Sequence, residues 1–173
     1  MDHRPAGGAP PGMLSGMRLR ACGLFGTASI LVGALALMGS GAQTHYIAFG
    51  TALCLGGALL VWVAITSRRI GRIGWLAITA LTLAGLFLSM LVVREDVCCM
   101  FGYHRGLGYP WGWLDSYATA DTMAAIDAMR SDPAALETSV DWLKVVLDGL
   151  FWWHVAVLVV VPAMQVGRRF QRR

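Results

Sequence analysis

Two ionisable side chains, Asp148 and His154, lie inside the last of four long apolar stretches in the sequence. A charged residue at the centre of a bilayer costs about 2.5–3.5 kcal/mol on insertion scales, so such residues are by default candidates for function. On a helix the two positions lie about 120° apart, so they do not form a ready-made pair. Asp148 is a candidate proton or ion site, and His154 a candidate proton relay or haem ligand. The structural alternatives are that Asp148 pairs with Lys144 or bonds a loop backbone, and that a neutral His154 bonds a neighbouring helix.

A second candidate group is Cys98 and Cys99, which are followed by Met100 and His104. Thiol, thioether and imidazole groups are the ligands that Cu(I) prefers. Adjacent cysteines can bond each other only in a strained ring, so a structural or intermolecular disulfide and a redox role both remain open. No spacing in the chain identifies a reaction, and we predict no catalytic residue, no bound metal and no cofactor.

Four stretches of about twenty apolar residues each predict that the chain crosses a membrane four times. Hydrophobic residues make up 57% of the 173 residues and charged residues only 14%, whereas a soluble domain usually has about 25% charged residues. Lipid offers the backbone no hydrogen-bond partner, so the spans must be helices. The predicted fold class is all-α, a membrane-embedded four-helix bundle. The predicted spans are residues 21–39, 46–66, 74–93 and 145–166.

The distribution of arginine predicts the orientation. Residues 1–20, 67–73 and 167–173 contain three, three and four arginines, whereas segment 94–144 has four basic and eight acidic residues. The positive-inside rule therefore places both termini in the cytoplasm, in a plasma (inner) membrane, with 94–144 on the other side. The basic residues flank spans rather than form one patch, so nucleic acid is not an expected partner.

The domain organisation follows from these segments. Residues 1–20 are rich in Gly and Pro and are predicted to be a disordered cytoplasmic arm. Residues 21–166 form the membrane domain, and residues 167–173 a basic cytoplasmic tail. An alternative is that the first apolar run and Ser40-Gly41-Ala42 act as a signal peptide and its cleavage site, which would remove the first span.

The long outer segment, residues 94–144, is predicted to combine an irregular loop with a short helix. Residues 102–114 contain four Gly, one Pro and four large aromatic residues, a composition typical of a turn-rich loop at a membrane interface. Tyr109, Pro110 and Trp113 are its candidate functional residues. A helix is predicted at residues 120–130. Asp132-Pro133 then predicts the start of a further helix that runs directly into the last span.

Small residues recur four apart within the spans, for example Gly50, Cys54 and Ala58 in the second span, and Ser29 and Gly33 in the first. Such stripes let helix backbones approach closely. They predict close packing within the bundle or, alternatively, a homodimer.

The aromatic loop and the last span together carry a resemblance. The stretch from Gly108 to Leu114, then Trp142-Leu143 and Asp148 with Phe151-Trp152, resembles a pattern in small uncharacterised bacterial membrane proteins. Those proteins have a Gly-aromatic-Pro-x-Pro-Trp-Leu segment outside the membrane, before a Trp-Leu…Asp-x-x-Phe-Trp helix. Here Gly112 stands where the second Pro would be. The resemblance implies the same topology and implies no reaction.

Three functions are compatible with these features. The first is a non-enzymatic membrane protein that binds or assembles with a partner through its outer segment. The second is a quinone-coupled thiol oxidoreductase, because the topology is similar to the disulfide-generating four-helix membrane proteins. Those proteins carry Cys-x-x-Cys in their first outer loop, and residues 40–45 here contain no cysteine. The third is a small transporter subunit that uses Asp148 and His154. The expected partners are the lipid bilayer and a protein, which is either a different chain or a second copy.

Overall fold

The computed structural model describes residues 11–68, 70–98, 102–132 and 136–170. In these residues, four long helices form a bundle, and four strands with one short helix form a compact unit at one of its ends. We call that unit the β-module and that end of the bundle the sheet end. In chain order the elements are α1 (Pro11–Met38), α2 (Thr44–Ile65), α3 (Arg72–Ser89), β1 (Val93–Cys98), β2 (Gly102–Leu107), β3 (Leu114–Thr119), α4 (Met123–Ser131), β4 (Thr138–Val140) and α5 (Trp142–Phe170).

Four helices are long and apolar enough to cross a membrane, which is compatible with a multi-pass membrane protein. The qualifying stretches are Leu19–Met38, Thr44–Ile65, Arg72–Ser89 and Trp142–Gly167. Large apolar side chains point away from the bundle, and Leu24, Leu76 and Phe87 each keep at least 70% of their surface exposed. A water-soluble protein would rarely expose so much apolar surface, but lipid covers it at no cost.

The first helix begins earlier than the sequence predicts. α1 starts at Pro11, inside the segment 1–20 that we predict to be disordered, whereas residues 1–10 lie outside the described part of the chain. Proline suits the first position of a helix because its missing N–H has no partner there in any case. Met13, Leu14 and Met17 are good helix formers, so the helix extends beyond the apolar run.

The fold is not all-α, because the segment after α3 forms an antiparallel sheet. The strand order is β1-β2-β3-β4. Glu95 lies opposite Arg105, Arg105 opposite Ser116, and Ser116 opposite Thr138. The prediction of an irregular loop over residues 102–114 is therefore wrong for β2 and for the first residue of β3. These strands contain glycines and charges rather than runs of β-branched residues, so their sequence carries little strand signal.

The short helix is predicted correctly in kind, since α4 covers most of residues 120–130. The helix predicted to run from Asp132-Pro133 into the last span is wrong where the structure describes it. Asp132 is the C-cap of α4, and residues 138–140 form β4. The sequence predicts Asp132 as an N-cap and Pro133 as the first residue of the helix. Pro133 lies outside the described residues. α5 instead begins at Trp142, after Asp141, whose carboxylate accepts the backbone N–H groups of Leu143 and Lys144 at 3.1 and 3.2 Å.

The two faces of the sheet have different neighbours. Side chains alternate between faces along each strand, so Glu95, Tyr103, Arg105, Ser116 and Thr138 share one face and Arg94, Asp96, His104 and Asp115 share the other. The first, the helix face, carries α4: Arg130 Nε donates to Glu95 Oε2 at 3.0 Å, and Tyr103 and Ile126 are fully buried. The second face meets α5 only near the start of β3, where Lys144 pairs with Asp115, and Tyr117 farther along the same face is 57% exposed.

Close contact between α1 and α2 uses the predicted small-residue stripes within one chain. A Cβ on Gly26 would lie 2.7 Å from the carbonyl oxygen of Gly57, and a Cβ on Gly33 would lie 2.7 Å from that of Gly50. The Cys54 thiol donates to Ile30 O across the same contact, at 3.6 Å. The predicted close packing within the bundle is therefore formed at Gly33, Gly50 and Cys54, whereas Ala58 of the same stripe is exposed.

Candidate functional site

The site with the most concentrated polar and aromatic contacts lies where the β-module meets the bundle. Residues 108–113, which we call the docking loop, connect β2 to β3 and reach down between α2 and α5. The Trp111 ring centroid lies 4.7 Å from that of Phe49 on α2, and the Tyr109 centroid lies 5.7 Å from that of Phe151 on α5. Pro110 is fully buried between them. The loop therefore fills the space between the starts of two predicted spans.

Backbone geometry fixes the docking loop at both of its ends. Gly108 has a φ of +131°, and a Cβ there would lie 2.5 Å from the Trp113 ring, so only glycine fits. Gly108 N donates to Val92 O at 3.1 Å, and Trp113 N donates to Leu107 O at 3.0 Å. The Trp113 carbonyl in turn accepts the N–H of Asp141 at 2.9 Å. Loop, sheet and the start of α5 are thus joined by main-chain bonds.

Asp148 holds the docking loop from below. Its side chain is fully buried, and Oδ1 accepts the backbone N–H of Trp111 at 3.1 Å. Oδ2 has no hydrogen-bond partner among the described residues. Of the two structural alternatives for Asp148, the bond to a loop backbone is the one formed. Lys144 pairs with Asp115 and Asp141 instead.

Trp152, one helical turn beyond Asp148, holds the same loop through its indole. Trp152 Nε1 donates to the carbonyl of Tyr109 at 3.0 Å. The ring lies against Gly85 of α3, where a Cβ would come within 2.5 Å of it. The absence of a side chain on Gly85 therefore leaves the space in which the indole can reach the loop.

His154 belongs to a different contact, between α5 and α1. The ring is fully buried, with Nδ1 2.8 Å from Leu150 O and Nε2 2.9 Å from Ser29 Oγ. A carbonyl can only accept, so in the neutral ring Nδ1 carries the hydrogen and Nε2 is the acceptor. The Ser29 hydroxyl has one hydrogen, which it can give either to Nε2 or to Phe25 O, which is also 2.9 Å away. Both ring nitrogens are thereby engaged by protein groups. The bond to a neighbouring helix predicted as the structural alternative is the one formed.

The structure does not bring the two ionisable residues of the last span together. Asp148 faces the docking loop, whereas His154 faces Ser29 of α1. The imidazole also packs against Gly56 of α2, where an added Cβ would lie 2.8 Å from the ring. The separation around the helix predicted from their spacing is confirmed. Each serves its own contact, and neither lies beside the other.

The cysteine group is only partly visible. Cys98 is the last residue of β1, while Cys99 and Met100 lie outside the described residues. His104 is on β2, with Nε2 3.4 Å from Asp115 Oδ1. Within the ranges that the structure describes, no three His, Cys, Asp or Glu side chains are grouped as they would be around a metal ion.

Sequence reasoning missed the charged group that ties the sheet to α5. The Lys144 ammonium pairs with both Asp115 of β3 and Asp141, the residue directly before α5. These two ion pairs connect the strand to the start of the helix. The bond from the backbone N–H of Lys144, above all, lowers the pKa of Asp141 from its ordinary value. An Asp directly before an apolar helix is a known start signal, so Asp141 was the available clue.

Comparison of the chain with protein families, with curated proteins and with solved structures finds no match.

We expect replacement of Ser29 by alanine to weaken the contact between α1 and α5. The substitution leaves the buried Nε2 of His154 without its partner, and an unpaired buried polar group costs about 1–3 kcal/mol. The free energy of unfolding in mixed detergent micelles measures the loss. Thr27→Ala is the matched control, because the Thr27 hydroxyl is exposed and bonds Gly23 O of its own helix. Equal stability of the two variants would contradict a structural role for the His154–Ser29 bond.

Proposed function

We propose that the chain is a non-enzymatic, multi-pass protein of the plasma (inner) membrane that assembles with a partner protein through its β-module. In this arrangement both termini are cytoplasmic and the β-module lies on the other side of the membrane. The docking of the β-module on the bundle through Asp148 is the observation that carries the proposal.

The orientation is supported by arginines at the end opposite the β-module. Arg68 follows α2, and Arg72 is the first residue of α3. The Arg68 guanidinium donates to Gln165 near the end of α5 and lies 4.8 Å above the Trp62 ring. A cation held beside a tryptophan at a helix end is typical of a membrane–water interface, and arginine excess marks the cytoplasmic one.

The assembly role is supported by how the unusual polar residues are used. The side chains of Asp148 and Trp152 both form hydrogen bonds with the main chain of the docking loop. Lys144 and Asp115 join the same helix to the sheet. These bonds hold the β-module in a fixed position on the bundle, which reduces the entropy lost when a partner binds it.

Site-specific photo-crosslinking in native membranes tests the proposal. Probes at Val97 of β1 and Met123 of α4, which are 41% and 52% exposed, sample two surfaces of the β-module. A probe at Ile65, 78% exposed at the other end of α2, is the control. We expect a discrete adduct of defined mass from at least one module position and none from residue 65. Identical adducts from all three positions, or none from the module, would contradict assembly through the β-module.

A further inference from the structure

The backbone holds Arg68 in a fixed position at the end of the bundle opposite the β-module. Ser67 has a φ of +50°, the left-handed conformation in which many helices end. Its N–H bonds Ala64 O at 3.2 Å. The N–H of Arg68 bonds Val63 O at 3.1 Å, which completes the two-bond Schellman motif. The chain therefore turns at the end of α2, and Arg68 stays beside this helix.

Two side chains fix the guanidinium group of Arg68. It lies 4.8 Å above the Trp62 ring of α2 and donates a hydrogen bond to Gln165 of α5. Trp62 precedes Arg68 by six residues, so the guanidinium reaches back along the helix rather than out into water. Arginine has five N–H donors, and a group that is ordered in advance loses less entropy when it binds an anion.

The described part of the chain provides no carboxylate to neutralise this cation. Of the ten acidic residues in the sequence, Asp2 lies outside the described residues. The other nine lie between Glu95 and Asp148, in the β-module or at the sheet end of α5. Because a charge that is partly removed from water needs a partner of opposite sign, the anion for Arg68 must come from elsewhere.

An exposed apolar stripe of α2 leads along the helix to the guanidinium. Leu55, Ala58 and Trp62 are spaced three and four residues apart, so they lie on one face of the helix. All three are exposed, Leu55 by 55% and Trp62 by 40%. The small side chain of Ala58 leaves a depression between the two larger ones. An acyl chain that lies along this stripe ends beside Arg68.

The combination of cation and apolar stripe favours a lipid over an anion from solution. A free phosphate would contact only the cation, whereas a phospholipid also places its acyl chain on the stripe. Guanidinium groups bind phosphate through two parallel N–H bonds, and basic positions between membrane helices bind anionic headgroups. A zwitterionic headgroup is a weaker ligand, because its own cation competes with the arginine for the phosphate.

We propose that Arg68, Trp62 and Gln165 form a binding site for one anionic phospholipid of the leaflet opposite the β-module. The phosphate accepts N–H groups of Arg68. Gln165 uses its oxygen for Arg68, which leaves its amide nitrogen to donate to the same phosphate. The acyl chain lies along Leu55 and Ala58. This site is at the other end of the molecule from the β-module and does not depend on a protein partner.

Native mass spectrometry of the purified full chain, released from micelles with equal amounts of phosphatidylglycerol and phosphatidylcholine, tests the site. We expect one phosphatidylglycerol to be retained in preference. Arg68→Gln should lower the retained fraction about fivefold, which is the contribution of one basic side chain near a charged membrane surface. Arg20→Gln is the matched control, because Arg20 is exposed in the corresponding half of α1 and loses the same charge. This control should retain the lipid as the unaltered chain does.

Gln165→Glu tests the same site in a variant that is expected to keep its fold. The new carboxylate would lie where the Gln165 oxygen now accepts from Arg68, so the cation gains a partner within the chain. We expect phosphatidylglycerol retention to fall as it does in Arg68→Gln, without a decrease in the free energy of unfolding. Retention equal to that of the unaltered chain would contradict the proposed role of Arg68.

The remaining outcomes decide between a lipid, a free anion and no site. Unchanged phosphatidylglycerol retention in Arg68→Gln, or equal retention of the two lipids by the unaltered chain, overturns the site. Inorganic phosphate distinguishes the source of the anion, and we expect it to leave the melting temperature unchanged. If phosphate raises the melting temperature as much as phosphatidylglycerol does, and Arg68→Gln abolishes the rise, the site binds a free anion and the lipid is excluded.

Discussion

Replacement of Gly26 by alanine is expected to destabilise the bundle by about 1–3 kcal/mol, the usual cost of overpacking a tight contact. The new Cβ would lie 2.7 Å from Gly57 O and 3.0 Å from Leu60 Cβ. Because one of these atoms belongs to the backbone, no side-chain rotation relieves the overlap, and α1 must move away from α2. The free energy of unfolding, measured by titration with a denaturing detergent, reports the loss.

Gly23→Ala is the matched control for this result, since it makes the same substitution on the same helix one turn earlier. Its Cβ would meet only Ala64 Cβ, at 3.4 Å, which is an ordinary contact. We expect a change within about 0.5 kcal/mol. Gly57→Ala should resemble Gly26→Ala, and the double variant should cost less than the sum, because one separation of the helices relieves both overlaps. A Gly26→Ala variant as stable as Gly23→Ala would contradict the close contact.

Replacement of Asp148 by alanine is the second change for which we expect a large effect. It removes the acceptor for the partly buried N–H of Trp111, and an unpaired buried group costs about 1–3 kcal/mol. The loss should appear both in the free energy of unfolding and in faster hydrogen exchange at the Trp111 amide. Asp148→Asn keeps a carbonyl oxygen that can accept the same bond, so its loss should be smaller.

A double-mutant cycle with Trp152→Phe tests whether the two side chains act on one loop. Trp152→Phe removes the indole N–H that bonds Tyr109 O but keeps an aromatic ring against Gly85. Once one bond is lost and the docking loop has moved, the other contributes less, so the two losses should not add. Strict additivity would show that Asp148 and Trp152 hold independent parts of the structure. Slow exchange at Trp111 in Asp148→Ala would show that the carboxylate does not hold the loop.

The predicted spans match the four long helices because a membrane helix is encoded locally. Length and hydropathy within one stretch suffice, as in Thr44–Ile65, whose counterpart was predicted at residues 46–66. The ends are less accurate. α1 begins outside the apolar run, and α3 ends at Ser89, whereas the third span is predicted to reach residue 93, which is the first residue of β1. The small-residue stripes also predicted close helix contact, although only the structure shows that Gly26 meets Gly57 within one chain.

The sequence does not predict the sheet, because its strands are stabilised by pairing with one another and by packing against α4 rather than by their own residue composition. β2 contains two glycines and two basic residues, and it acquires a buried side only through neighbours such as Ile126 of α4. The same reason limits how much of the candidate site can be predicted from the sequence. Asp148 and His154 were identified as unusual, and bonds to a loop and to another helix were among their alternatives. Their actual partners, Trp111 and Ser29, lie 37 and 125 residues away, and no local pattern points to them.

The contacts of α5 have a consequence for biosynthesis. This helix follows α1, α3 and the docking loop in the chain and therefore leaves the ribosome after them, yet it supplies His154 to α1, Trp152 to α3 and Asp148 to the docking loop. The α1–α2 hairpin can close as soon as its second helix is inserted, because its glycine contacts are complete within residues 11–65. The β-module, in contrast, must wait for α5 before its loop has a binding site. A chain interrupted before α5 would therefore leave the sheet without its support on the bundle.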